Sequence, residues 1–220
     1  MTGAWAARGW IAAAGAGVLA GAWLGPLPAL ARASFAAHMT MHMAVVAIAC
    51  PLLAWGVAGR RFDPLRGGVD GWRAALFSPY LASAFEFVVV WAWHAPALHH
   101  LARHTTGGLL VEQAGFFLAG TLVWLSALGG GAHARDRAAA GVGGLLMTSM
   151  HMTLLGVLLA LADRPLYAHA ATASPGGWTP LQDQQLGGVV MLAVGGVAYL
   201  AGALALLAGL LRERREVCDG

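Results

Sequence analysis

FAAHMTMHMAVVAIACPLLAWGVA, residues 35–58, contains no Asp, Glu, Lys or Arg. A hydrocarbon core about 30 Å thick is crossed by roughly 20 apolar residues rising 1.5 Å each, so this stretch can span a bilayer as one helix. Outward from it the pattern repeats. With Phe35–Ala58, apolar blocks occupy Trp10–Leu24, Leu76–Trp93, Gly108–Leu128, Gly141–Ala162 and Leu186–Leu211, joined by short polar segments. Over all 220 residues, 59% are hydrophobic and only 10% charged, whereas soluble domains carry about 25% charged residues. A soluble domain is excluded, and the recurrence of blocks excludes a single span. Barrel strands would alternate apolar and polar residues over about ten positions, and no such alternation is present. Only helices remain to satisfy every backbone group in lipid. The sequence therefore predicts an all-α, polytopic transmembrane helical bundle with five to seven spans, six favoured.

All 13 basic residues are Arg, and they sit in the joints between apolar blocks without interleaved aromatics. That pattern argues against nucleic acid and for membrane topology, because positive joints stay cytoplasmic. Arg8, Arg60, Arg61, Arg66, Arg73, Arg135, Arg137, Arg212, Arg214 and Arg215 fall on one side of a six-span arrangement, and Arg32, Arg103 and Arg164 on the other. Both termini are then cytoplasmic. Residues 1–34 read as a signal anchor or a cleavable signal-like span, because Ala29–Leu30–Ala31 resembles a signal-peptidase site. Residues 35–211 form the transmembrane domain, and 212–220 a basic cytoplasmic tail. Cys50 and Cys218 are too far apart in sequence for a Cys-x-x-Cys pair, so no disulfide framework is implied.

The nine histidines are distributed unevenly over this topology. His38, His42, His94, His99, His100, His104 and His169 fall at the outer side, with His151 near mid-membrane and His133 in an inner joint. Positions four apart share a helical face, so His38 pairs with His42 and Met39 with Met43 on the next stripe. Imidazole and thioether are the neutral ligands Cu(I) favours. Met147 and His151 repeat the chemistry in the fifth span. Methionine also fills helical cores without chemistry, and that reading stands beside the metal one. His99, His100 and His104 read as solvated joint residues, and His133 as plain surface.

Two carboxylates fall inside spans. Glu86 lies halfway along the third, a depth that demands a partner or a role, and its carboxyl is expected to be protonated or hydrogen-bonded to a facing polar group such as His151. Glu112 lies near the outer end of the fourth span, where it can support a metal-bound imidazole or reach interfacial water. Asp183 falls in the first turn of the last helix and reads as a cap of that helix. The neighbouring Gln182, Gln184 and Gln185 suit hydrogen bonds between helices.

Several short motifs occur in a telling order. They are His38–Met39 with His42–Met43 leading into Pro51–Leu52–Leu53–Ala54–Trp55–Gly56, then Trp93–His94–Ala95–Pro96–Ala97–Leu98, Pro165–Leu166–Tyr167, and Asp183–Gln184–Gln185–Leu186–Gly187–Gly188 followed by Met191. From about Phe35 to Leu211 the chain resembles the membrane-integral CtaG family of cytochrome c oxidase assembly factors, which serve caa3-type oxidases. The resemblance implies a multi-pass protein of the bacterial inner membrane that helps mature a haem-copper oxidase at a copper-loading step. It nominates His38, His42 and His94 as metal residues, with Met39 and Met43 as soft auxiliaries and His151 as a further candidate. The family often has a His-x-x-Glu-His element opening its fourth span; here that position reads Leu109–Leu110–Val111–Glu112–Gln113. The loss of both imidazoles counts against a metal site involving that helix.

The function expected is a non-enzymatic membrane metallochaperone of the respiratory chain that holds Cu(I) at the periplasmic face and passes it to an oxidase subunit. Two alternatives stay open: a b-type haem protein with histidines on facing helices, and a metal-free assembly scaffold. The sequence leaves the oligomeric state open.

Overall fold

Proline and glycine set where the spans break. The computed structural model describes residues 2–68, 70–130, 134–167 and 176–219. Among the described residues every regular element is helical. In chain order these are α1 (Thr2–Leu24), α2 (Leu27–Ala33), α3 (Phe35–Met43), α4 (Cys50–Val57), α5 (Gly71–Leu76), α6 (Pro79–His94), α7 (Pro96–His104), α8 (Thr106–Leu128), α9 (Ala134–Ala160), α10 (Pro180–Val190) and α11 (Val197–Asp219). Wider π-helical turns, Ala44–Ala49 and Met191–Gly196, join α3 to α4 and α10 to α11.

Among the described residues, four continuous helices are long and apolar enough to cross a membrane: Phe35–Val57, Thr106–Leu128, Arg137–Ala160 and Pro180–Arg212. Two bent pairs raise the number to six if each counts as one span, Arg8–Leu24 with Leu27–Ala33 at 47° and Pro79–His94 with Pro96–His104 at 73°. The chain is thus a multi-pass helical membrane protein, and each apolar block of the sequence is accounted for. The second break follows from Pro96, which has no N–H to continue the ladder and pushes Ala95 into extended backbone at φ −65°, ψ 135°. The third block begins at Pro79, later than Leu76, because Ser78 precedes a proline and Leu76 belongs to the separate turn of α5.

Close helix contact rests on small residues, as packing in lipid requires. A Cβ on Gly56 would lie 2.6 Å from Ala12 Cβ, which lets α1 lie along α4. A Cβ on Gly188 would lie 2.5 Å from the Ala160 nitrogen, which holds α10 against α9. At the arginine-rich end the buried Asp63 carboxylate accepts from Gly59, Leu65 and Gly130 N–H groups at 2.7–2.9 Å, fastening the loop after α4 to the end of α8.

In the bundle interior Glu86 is fully buried, and its partner differs from the expected His151. Tyr199 donates its hydroxyl to Glu86 Oε1 at 2.6 Å, and Ser83 and Thr148 pair nearby at 2.8 Å. Trp124 Nε1–H donates at 3.0 Å to the carbonyl of Val46, inside the first π turn. A π turn frees carbonyls from the regular ladder, so a side chain can take one.

Candidate metal centre

The start of α3 is built by residues far away in sequence. Ser34 caps it, its Oγ accepting from Ala37 N–H at 3.1 Å. The buried Asp183 carboxylate then accepts from Ser34 Oγ–H at 2.7 Å, Phe35 N–H at 2.6 Å and Ala36 N–H at 3.3 Å. Asp183 was expected to cap its own helix. In α10 that task falls to Thr179, which forms a reciprocal capping box with Gln182, leaving Asp183 to serve the orphan donors of α3. Arg103 of α7 donates to the carbonyls of Arg32 at 2.7 Å and Ser34 at 3.4 Å, so three segments meet at this corner. The amides Gln184 and Gln185, expected to bond between helices, instead tie α10 to the preceding loop through Leu166 N–H and the Ala162 carbonyl.

One turn further along α3, polar side chains converge away from water. His38 Nε2 and His42 Nε2 are 2.8 Å apart. Glu112 Oε1 of α8 lies 3.2 Å from the first and 3.7 Å from the second, and all three residues are at most 1% exposed. His99 of α7 completes a group in which ligand atoms of His38, His99 and Glu112 lie within 4.8 Å of one another. His94, the last residue of α6, has Nδ1 2.7 Å from the Val90 carbonyl and Nε2 3.4 Å from Met39 Sδ. Because a carbonyl only accepts, the His94 proton is on Nδ1 and the Nε2 lone pair faces the thioether.

Aromatic and amide groups wall the cluster. Phe116 packs on both His42 and His94, with ring centroids 4.2 and 6.4 Å away. Tyr167 stacks on Phe35 at 4.8 Å and donates its hydroxyl to the His94 carbonyl at 2.9 Å. Burial pushes the Tyr167 phenol well above its ordinary range, so it stays a donor. Gln113 bridges Trp23 of α1 and His42, at 3.0 Å on each side.

A family model described as cytochrome c oxidase caa3 assembly factor (Caa3_CtaG) matches residues 2–213. The chain belongs to that family. No curated protein and no solved structure matches it. The match begins well before Phe35, and α1 contributes to this Caa3_CtaG fold directly: Arg8 donates to the Ala58 carbonyl at 2.8 Å, and Trp23 reaches the cluster. The protein is accordingly a caa3 oxidase assembly factor of the membrane.

Of the residues nominated from sequence, His38, His42, His94 and Met39 come together. Met43 does not join them: its Sδ is 3.0 Å from where a Cβ on Gly195 would be, toward the second π turn. His151 also lies apart, its ring edge-on to Phe87 with centroids 5.4 Å apart and neither nitrogen hydrogen-bonded. His133 and His169 lie outside the described residues.

His99 and Glu112 depart from expectation. His99 was expected to be solvated, but the bend at Pro96 folds α7 back so that His99, Ala102 and Arg103 turn inward while His100 and His104 stay exposed. The three-and-four spacing of that inward face was visible in the sequence. The helix that had lost its imidazoles supplies Glu112 and Gln113 instead, so the Caa3_CtaG cluster includes α8 through a carboxylate and an amide. This set offers imidazole, carboxylate and thioether donors, which suit a transition-metal ion better than Mg or Ca.

Proposed function

We propose that this assembly factor binds a copper ion in the buried cluster and hands it to a subunit of a haem-copper oxidase. One observation carries the reading: four imidazoles, one carboxylate and one thioether from α3, α6, α7 and α8 meet in a single water-excluded place. A carboxylate buried inside the bundle is costly in lipid without a cation to share it. The lone pairs of His94 and Met39 face each other with no proton between them, and a soft nitrogen–sulfur pair favours copper as Cu(I). The arginine distribution orients this end of the bundle outward, so the ion is taken and released at the periplasmic face of a bacterial inner membrane with the C-terminus cytoplasmic.

Copper quantified on protein purified in detergent tests this. We expect bound copper in the wild type and its loss in His38→Ala and His94→Ala. Equal copper in all three removes those residues from the role. A copper-free wild type that still supports oxidase assembly leaves a scaffold, and a Soret band in the visible spectrum replaces copper with haem.

A further inference from the structure

Trp23, Gln113 and His42 form a hydrogen-bonded chain whose polarity is fixed by Trp23 at one end and by Glu112, whose Oε2 accepts from Gln113 Nε2 at 3.4 Å, beside it. An indole nitrogen can only donate, so Trp23 Nε1–H, 3.0 Å from Gln113 Oε1, assigns the amide oxygen to that side. The amide nitrogen then faces His42 Nδ1 at 3.0 Å and donates to it. A neutral imidazole carries one ring proton; with Nδ1 accepting, that proton is on Nε2. The His42 Nε2–H is directed at His38 Nε2, 2.8 Å away. Two nitrogens sharing a tetrahedral ion at about 2.0 Å would stand roughly 3.3 Å apart, so this spacing is that of a hydrogen bond.

We infer that His42 is a positioning residue that presents a proton to His38, and that the ion is held by the other members of the cluster, His38, His99 and Glu112 among them, without it. The identity of the ion rests on the copper reading above; the polarity of His42 does not. His94 is the contrast within the same cluster. Its Nδ1 proton is taken by the Val90 carbonyl, so its Nε2 is open to an ion where that of His42 is blocked. Loading breaks no bond to hydrogen. The ion displaces the His42 N–H from the His38 lone pair, and the proton stays on His42, whose next acceptor is Glu112 Oε1 at 3.7 Å. A lone pair already engaged by a donor holds an ion less tightly, which suits a cargo that must leave.

Two measurements test the assignment. Nitrogen-15 NMR of histidine-labelled, metal-free protein in micelles reads the tautomer directly. We expect His42 to carry its proton on Nε2, with an Nδ1–H population emerging in Gln113→Leu, which removes the donor to Nδ1. A His42 proton on Nδ1 in the wild type overturns the inference. Second, Cu(I) is titrated against a chromophoric chelator. His42→Gln should bind as tightly as wild type or more so, while His38→Gln and Glu112→Gln weaken binding by about 10-fold or more. Loss of copper from His42→Gln as complete as from His38→Gln overturns the inference. A wild type that binds no copper, yet shows the Nε2–H tautomer, overturns the copper reading and upholds the polarity.

Discussion

Asp183 Oδ2 accepts a 2.6 Å hydrogen bond from the backbone N–H of Phe35, 148 residues earlier in the chain. The first turn of α10 thereby fixes the depth and rotation of α3, the helix that carries His38, Met39 and His42. Asp183→Ala strands the buried N–H groups of Phe35 and Ala36, each costing about 1–3 kcal/mol, and frees the half-buried Ser34 hydroxyl. We expect a clear fall in the thermal midpoint of the detergent-solubilised protein, and weaker copper binding although Asp183 is no ligand. A midpoint equal to wild type would show that α3 is held by its other contacts.

Met39 and Met43 look alike in sequence but face different neighbours, His94 for one and Gly195 for the other. Met→Leu nearly conserves volume, so either substitution should cost less than about 1.5 kcal/mol of stability. Met39→Leu should weaken Cu(I) binding and Met43→Leu should not. Chelator competition on the two variants side by side decides it, and equal affinities would remove the thioether from the site.

His99 and His100 are adjacent, yet one is buried beside His38 and the other is exposed. His99→Phe should lower copper occupancy, whereas His100→Ala should leave it at the wild-type level. Elemental analysis of the purified variants is sufficient, and a loss confined to His100→Ala would reverse the inward face assigned to α7.

Tyr199 supplies the hydrogen bond to Glu86 Oε1, and Glu86 Oε2 has no partner. Tyr199→Phe should destabilise the protein by about 1–3 kcal/mol by orphaning a buried carboxyl group. Glu86→Leu in the same background should recover part of that loss, and a double-mutant cycle in detergent measures the coupling. Additive effects would mean that the pair contributes nothing jointly.

Much of the architecture was legible because the bilayer constrains it. An uncharged run such as residues 35–58 has few ways to satisfy its backbone in lipid, and the blocks follow from that constraint. The His38, His42 and His94 convergence was legible from helical spacing and from their shared end of the bundle. What escaped was what depends on contacts between segments. Glu112 was discounted as part of a metal site because Leu109 and Gln113 stand where the family often has imidazoles; only the approach of α8 side chains to α3 gives it His38. Asp183 was expected to serve its own helix, since the sequence does not show that Thr179 already does so. His99 was hidden by the 73° bend, which no composition argument supplies.

The π turn at Ala44–Ala49 holds one residue more per turn than an ordinary helix would, so everything before it is rotated by about 100° relative to everything after it. Residues 35–43 and 50–57 therefore address different partners: α3 meets α10, while α4 meets α1 and α8. Deleting a single residue within 44–49 would let the ladder close regularly and turn the imidazoles of α3 away from Glu112, with α4 still seated. The proposed metal chemistry thus depends on the phase of one helix, and a loss of three nucleotides in the coding sequence would abolish it while every candidate ligand remained.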